Sequence, residues 1–246
     1  MKILLVFHCI FFLILTAQGQ KHDYVWLLGG NNPTIPEWAG TTIDFYTDPP
    51  DLYYEFRQIN YSQANASICD TAGNLLFYTN GIYIANALNE PMENGTGLAA
   101  GPEGIPSQGA YGYILTQGAI ILPAPEYDHL YYLLQADKHL TPSQNSLQSS
   151  NLFFSMVDMN VQGGIGEVII KNNILLSDAL DMGRLTATRH ANGRDWWLLS
   201  RSYGTNQYHR ILLGPVGLSV AGQQFVGDPI PSNSIGQSVF SPDGSK

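Results

Sequence analysis

Apolar positions along this chain come in short runs, each closed by Gly, Pro, Asn or Asp. No stretch of about a dozen residues carries the i, i+3, i+4 spacing of an amphipathic helix, so the pattern predicts strands joined by tight turns. "ASICDTAGNLLFYT" (Ala66 to Thr79) reads as a strand, an Asp-x-x-Gly-Asn turn and a returning strand. "AIILPAPEYDHLYYLL" (Ala119 to Leu134) repeats the plan around Pro-Glu-Tyr-Asp, and "TATRHANGRDWWLLS" (Thr186 to Ser200) turns on Asn192-Gly193. "SVFSPDG" begins a fourth copy, with Pro presetting φ, Asp bonding its own backbone and Gly accepting φ > 0.

An aromatic doublet follows each complete turn: Phe77-Tyr78, Tyr131-Tyr132 and Trp196-Trp197. The turns recur at Gly73, Asp128, Gly193 and Gly244, at intervals of 55, 65 and 51 residues. That spacing is near the roughly 50-residue period of kelch-type blades, with loop insertions such as Lys138 to Asn151 supplying the excess. The returning strands "NLLFYT", "LYYLL" and "DWWLLS" are apolar on both faces. A sheet with one wet face would alternate, whereas a strand wedged between two neighbouring sheets need not. The expectation is an all-β fold: a β-propeller built of four-stranded antiparallel blades (kelch/WD-like) over residues 20–246. A two-sheet sandwich or jelly roll with thick central strands is the alternative. Because the chain ends half-way round the fourth hairpin, the expected ring is incomplete, a fragment truncated at the C-terminus.

The first residues change the setting. Lys2 precedes an apolar stretch from Ile3 to Leu15, and Ala17 and Gly19 sit at the −3 and −1 positions of a small-residue cleavage site. This predicts a signal peptide over 1–19, too short to span a bilayer, and an exported protein at the outer cell surface or in the medium, with no transmembrane segment in the mature chain. Cleavage removes Lys2 from the 11 basic residues and none of the 20 acidic ones, so the mature chain carries a net charge of −10. With no Lys/Arg cluster, a nucleic-acid partner is excluded. Cys69 is then the one remaining cysteine, and stability must come from a core, not from disulfides.

From "ICDTAGNLLFYTNGIYIANALNEPMENGTGL" onward the chain resembles the N-terminal region of large secreted Bacteroidetes-type proteins, described as gliding-motility-associated or type IX secretion-sorted. The resemblance rests on Gly73 to Thr79, on the Met92 to Leu98 turn, on Phe154 to Val168 and on "RLTATRHANGRDWWLLS". "FSPDGSK" is similar to the start of that family's WD-like propeller repeat. Glu93 departs from the usual Pro, Ala85 stands where an aromatic is common, and Gly101 to Leu115 fits the pattern poorly. The resemblance implies a secreted or cell-surface propeller module and names no ligand.

Catalytic signatures are missing from the sequence: no Gly-x-Ser-x-Gly elbow, no His-Glu-x-x-His, no P-loop. Gly163 to Gly166 reads as a hairpin turn, not a phosphate loop. "SICDTAG" and "SPDGSK" each miss a sialidase-type Asp box by one residue. His22, His129, His139, His190 and His209 are scattered, so no metal site is expected, and His190 reads as a structural residue bridging its turn to a neighbouring strand. Cys69 reads as a small buried hydrophobe. The doublets could stack on sugars but fit packing between sheets better. Asn60, Asn65 and Asn94 lie in Asn-x-Ser/Thr sequons. The sequence thus points to a binding or interaction module, adhesion- or gliding-associated, whose partner is a glycan or a protein at the cell surface. It assigns no catalytic residue, ligand-binding residue or cofactor. A propeller hydrolase of glycosidase type, or a propeller joined to a downstream catalytic domain, is the alternative; a ligand-free spacer is a third reading.

Overall fold

A computed structural model of the chain describes residues 21–30, 34–61, 63–98, 112, 115–137, 139–141, 146–181, 183–230 and 236–246. The expected signal peptide and nearly all of the Gly101 to Leu115 loop lie outside these residues. The fold is all-β, as the hydrophobic pattern predicts. Among the described residues the helical elements are two single 3-10 turns, Pro36–Trp38 and Gln162–Gly164.

Three strands open the chain as an antiparallel sheet: β1 (Val25–Leu28), β2 (Thr41–Asp44) and β3 (Asp51–Tyr54). A meander follows in β4 (Ala66–Cys69), β5 (Leu75–Thr79), β6 (Tyr83–Asn86) and β7 (Pro91–Thr96). The next comprises β8 (Ala119–Pro123), β9 (Leu130–Ala136), β11 (Ser146–Asp158) and β12 (Glu167–Leu180), with the short β10 (His139–Thr141) pairing β11. β13 (Thr186–Arg189), β14 (Trp196–Arg201), β15 (Gln207–Gly214) and β16 (Gly217–Phe225) form a separate four-stranded sheet.

Separate four-stranded units are not what the pairing gives throughout. The first sheet has three strands. The second and third meanders join through one parallel bridge, Glu93 to Glu167, into a continuous path β4-β5-β6-β7-β12-β11-β9-β8. Its end strands β4 and β8 touch, so this eight-strand path is nearly closed and barrel-like. The join exists because β12 is long and Lys171 reaches from it to the Asn94 and Thr96 carbonyls, while Asn94 Nδ2 donates to the Val168 carbonyl.

The three hairpins expected from the sequence all form, and their turns share one hydrogen-bond plan. Asp70 N–H donates to the Asn74 carbonyl while Gly73 N–H donates back to Asp70. The same pair of bonds recurs at Ala124, Leu130 and Tyr127, at His190, Asp195 and Gly193, and at Ser241, Lys246 and Gly244. The terminal "SPDG" therefore folds as a fourth copy of the turn, beside Thr188 of β13. Asn192-Gly193 occupies the far side of a six-residue loop, not the centre of a two-residue turn: the Asn192 side-chain oxygen accepts from both the Arg194 and Asp195 N–H groups and widens it.

Three hydrophobic cores lie between successive sheets. Val25, Leu27, Ile59, Cys69, Tyr78 and Ala85 fill the first, between β1–β3 and β4–β7. Phe77, Ile84, Tyr131, Leu133, Val157 and Val168 lead the second, between β4–β7 and β8–β12. Leu122, Tyr132, Leu134, Leu152, Leu198 and Ile211 lead the third, between β8–β12 and β13–β16. Neighbouring residues of one strand thus enter different cores: Phe77 and Tyr131 meet in the second, whereas Tyr78 enters the first and Tyr132 the third. This is the physical origin of strands without alternation. The sheets are also locked at their ends: a Cβ on Gly183, whose φ is 71°, would overlap the Thr116 carbonyl, so the connections into β8 and β13 need glycine to pass.

Candidate functional site

Stacking the sheets brings their hairpin turns to one end, where they rim a cleft of about 470 Å³. Thr71 comes from the β4–β5 turn, Pro123 to Asp128 and Tyr131 from the β8–β9 hairpin, and Arg189, Gly193 and Arg194 from the β13–β14 hairpin; His22 closes the rim ahead of β1. Residues far apart in sequence meet here because each turn is built alike and each hairpin projects in the same sense from its sheet.

Cross-sheet bonds hold the rim. Arg194 Nη1 meets Glu126 Oε1 at 2.7 Å, and its Nε meets Asp195 Oδ1 at 2.7 Å. The hydrogen bond that Arg194 donates to Asp195 holds the guanidinium above its ordinary pKa, and Arg194 in turn, with Asn192, holds the Asp195 carboxyl below its own. Trp196 Nε1 donates to the Pro123 carbonyl at 3.2 Å, and the Arg189 guanidinium lies 3.9 Å over the Trp196 ring. On the far side Tyr46 donates its hydroxyl to the Ala72 carbonyl. Within the cleft Tyr127 is half exposed, while burial pushes the Tyr131 phenol up to about 12, so it stays a neutral donor. The surface combines phenol rings, opposed charges and a histidine, which suits a polar ligand that also offers an apolar face.

His190 Nδ1 accepts from the Asn192 N–H at 3.0 Å within its turn, and its ring packs 5.5 Å from Trp197 of β14. His129 Nδ1 sits 3.2 Å from Asp128 Oδ1, and His22 Nδ1 bonds the Cys69 carbonyl at 2.6 Å. Among the described residues no group of three His, Cys, Asp or Glu is placed to hold a metal ion. Cys69 is fully buried, and burial pushes its thiol up to about 11. Asn65 and Asn94 spend their side-chain amides on the Leu27 and Val168 carbonyls. Gly163 to Gly166 lies in the connection from β11 to β12.

Two side-chain clusters escape a linear reading. Ser202 Oγ lies 3.0 Å from His209 Nε2 and 2.7 Å from Asp178 Oδ2, and that same Nε2 lies 2.7 Å from Asp178 Oδ2. A nucleophilic relay needs the carboxylate on one ring nitrogen and the hydroxyl on the other. Here both crowd Nε2, and Nδ1 is buried with no partner among the described residues. Burial acts to raise the Asp178 pKa, but hydrogen bonds from Ser202, His209 and the Ala179 N–H outweigh it and hold the carboxyl below its ordinary value. The cluster ties β12 to β14 and β15. The second cluster is ionic: Asp181 Oδ2 takes Arg201 Nη2 at 2.5 Å and Arg184 Nε at 3.0 Å, with Asp181 and Arg201 almost wholly buried.

No family model, curated protein or solved structure matches the chain. Among the described residues no helix is long and apolar enough to cross a membrane.

Proposed function

We propose that the stacked sheets are blades of a β-propeller, exported to the cell surface, which binds a glycan in the cleft rimmed by its hairpin turns. Successive meanders, a shared turn plan in four places and cores on both faces of the inner sheets support the propeller reading. The N-terminal leader pattern and the likeness to secreted gliding-associated proteins support export. The observation that carries the binding role is the cleft itself: three repeats each contribute their turn to one concavity. Tyr127 offers a ring for the C–H face of a sugar, and Arg194, Glu126 and Asp128 offer donors and acceptors for its hydroxyls.

The placement of Ser202, His209 and Asp178 favours a structural tie over hydrolysis, so binding without turnover is the reading. A glycan array probed with the whole protein and with Tyr127→Ala tests it. Retention of a defined glycan, weakened about tenfold or more by loss of the ring, is the expected result. No retained glycan, or retention unchanged in the variant, contradicts the assignment.

A further inference from the structure

Two aromatic groups beside the cleft already carry a cation of the chain. Lys21 Nζ lies 4.7 Å from the Tyr24 ring centre and 5.0 Å from that of Tyr46, whose hydroxyl reaches the Ala72 carbonyl of the β4–β5 turn. The Arg189 guanidinium covers Trp196 and donates through Nη1 to the Arg194 carbonyl at 2.9 Å. Tyr127 differs. Its ring packs at 87° to that of His129, 6.2 Å between centres, and meets no ammonium or guanidinium among the described residues. Its position in the turn is also distinctive. In the four turns that share one hydrogen-bond plan, the residue whose N–H donates back is Gly73, Tyr127, Gly193 or Gly244. A half-exposed ring therefore stands on the β8–β9 hairpin at the place that is bare in the other three.

The charges around this ring are unequally engaged. Arg194 is committed to acids, to Glu126 through Nη1 and to Asp195 through Nε and Nη2. Arg189 is committed to Trp196 and to the Arg194 carbonyl. Asp128, next to Tyr127 in the chain, keeps its side chain 97% exposed. His129 Nδ1 lies 3.2 Å from its Oδ1, and among the described residues no lysine or arginine pairs with it. The cleft thus offers a ring without a cation beside a carboxylate that no arginine or lysine neutralises, while its own cations are taken. A ring face and a carboxylate side by side attract an ammonium, one through the ring quadrupole and the other as an ion pair. A uronate or a sulfated sugar would instead bring its charge against Asp128 and Glu126.

Resting on the reading of the cleft as a glycan site, we infer that its ligand is an amino sugar with a free, protonated amine. The sugar sits on Tyr127 with its ammonium towards the Asp128 carboxylate, so that a ligand cation does for Tyr127 what Lys21 does for Tyr24 and Tyr46. An N-acetylated sugar keeps the apolar face and loses the charge. At an exposed site the cation–π contact and the ion pair together favour the free amine by about tenfold in affinity.

The test is an array carrying oligosaccharides of glucosamine and galactosamine, their N-acetylated counterparts of equal length, and oligoglucuronates. It is probed at low and high salt with the whole protein, Tyr127→Ala, Asp128→Asn and Asp228→Asn. Asp228 is an exposed acid beyond β16, at the end of its sheet away from the cleft. Circular dichroism checks that each variant folds. Expected is retention of the free-amine sugars about tenfold above their N-acetylated counterparts, weakened by salt. Tyr127→Ala weakens all retention, Asp128→Asn removes most of the preference for the amine, and Asp228→Asn changes neither. Retained glycans that are neutral or acidic, weakened by Tyr127→Ala yet indifferent to Asp128→Asn, overturn the amino-sugar assignment and leave the glycan reading standing. Amino-sugar retention that Asp128→Asn leaves unchanged, or that Asp228→Asn weakens equally, also overturns it, the latter as attraction to an acidic chain at large. An array that retains nothing overturns both.

Discussion

Leu133 and Leu134 are adjacent on β9, each fully buried, yet they enter different cores: Leu133 packs with Phe77 and Val157, Leu134 with Leu152 and Leu198. If β9 is covered on both sides, alanine at either position must be costly. Each change removes three carbons from a filled core, about 2.4 kcal/mol at ~0.8 kcal/mol per buried methylene. A cavity left by partial relaxation adds to that, giving about 3–4 kcal/mol within the usual span for buried leucines. For a chain of this length such a loss lowers Tm by about 6–16 °C. Urea unfolding and a thermal scan of Leu133→Ala and Leu134→Ala, measured side by side, give both numbers. A sheet with one wet face predicts a different outcome, in which one variant stays within about 0.5 kcal/mol of wild type. That asymmetry would refute burial on both faces, and with it the stacking that gathers the turns into a cleft.

Two further expectations concern buried ionisable groups. Asp181→Asn leaves Arg201 and Arg184 without their shared carboxylate, and should cost roughly 3–5 kcal/mol in denaturant unfolding, the usual penalty for an uncompensated buried charge; a loss below about 1 kcal/mol would show that the pair is not buried as described. The Cys69 thiol, ordinarily at 9.0, is pushed up to about 11 by burial, so the unfolded chain loses its proton first as pH rises. Stability should therefore fall from pH 9 towards 11, by up to about 2–3 kcal/mol from this group. Cys69→Ala should flatten the slope between pH 9 and 10, below the range where Tyr131 contributes, and an unchanged slope would exclude Cys69 as its source.

The strand-and-turn order was legible because turn chemistry is local: Asp70, Gly73, Asn192, Gly193 and Gly244 each do in the structure what their residue types dictate nearby. Two-sided burial was legible too, since "LYYLL" has no alternation to explain away. The parallel bridge between Glu93 and Glu167 was not, because it depends on Lys171 and Asn94 reaching across 77 positions. The cleft was hidden for a similar reason. Glu126 and Arg194 lie 68 positions apart, and nothing in either local sequence marks them as partners. The Ser202–His209–Asp178 cluster shows the converse hazard: residue types that suggest catalysis meet in space, and only the shared Nε2 reveals a structural tie. The repeat interval carried a usable signal, since turns recurring on stacked units must gather at one end.

Mapping a ligand onto the turns tests the central claim most directly. A glycan retained by the array is titrated into isotope-labelled protein and backbone amide shifts are followed by NMR. Shifts confined to residues 70–74, 124–129 and 190–195 are the predicted result, with Tyr127→Ala abolishing them. Shifts that spare these turns and fall elsewhere on the sheets would contradict the assignment of the cleft as the binding site.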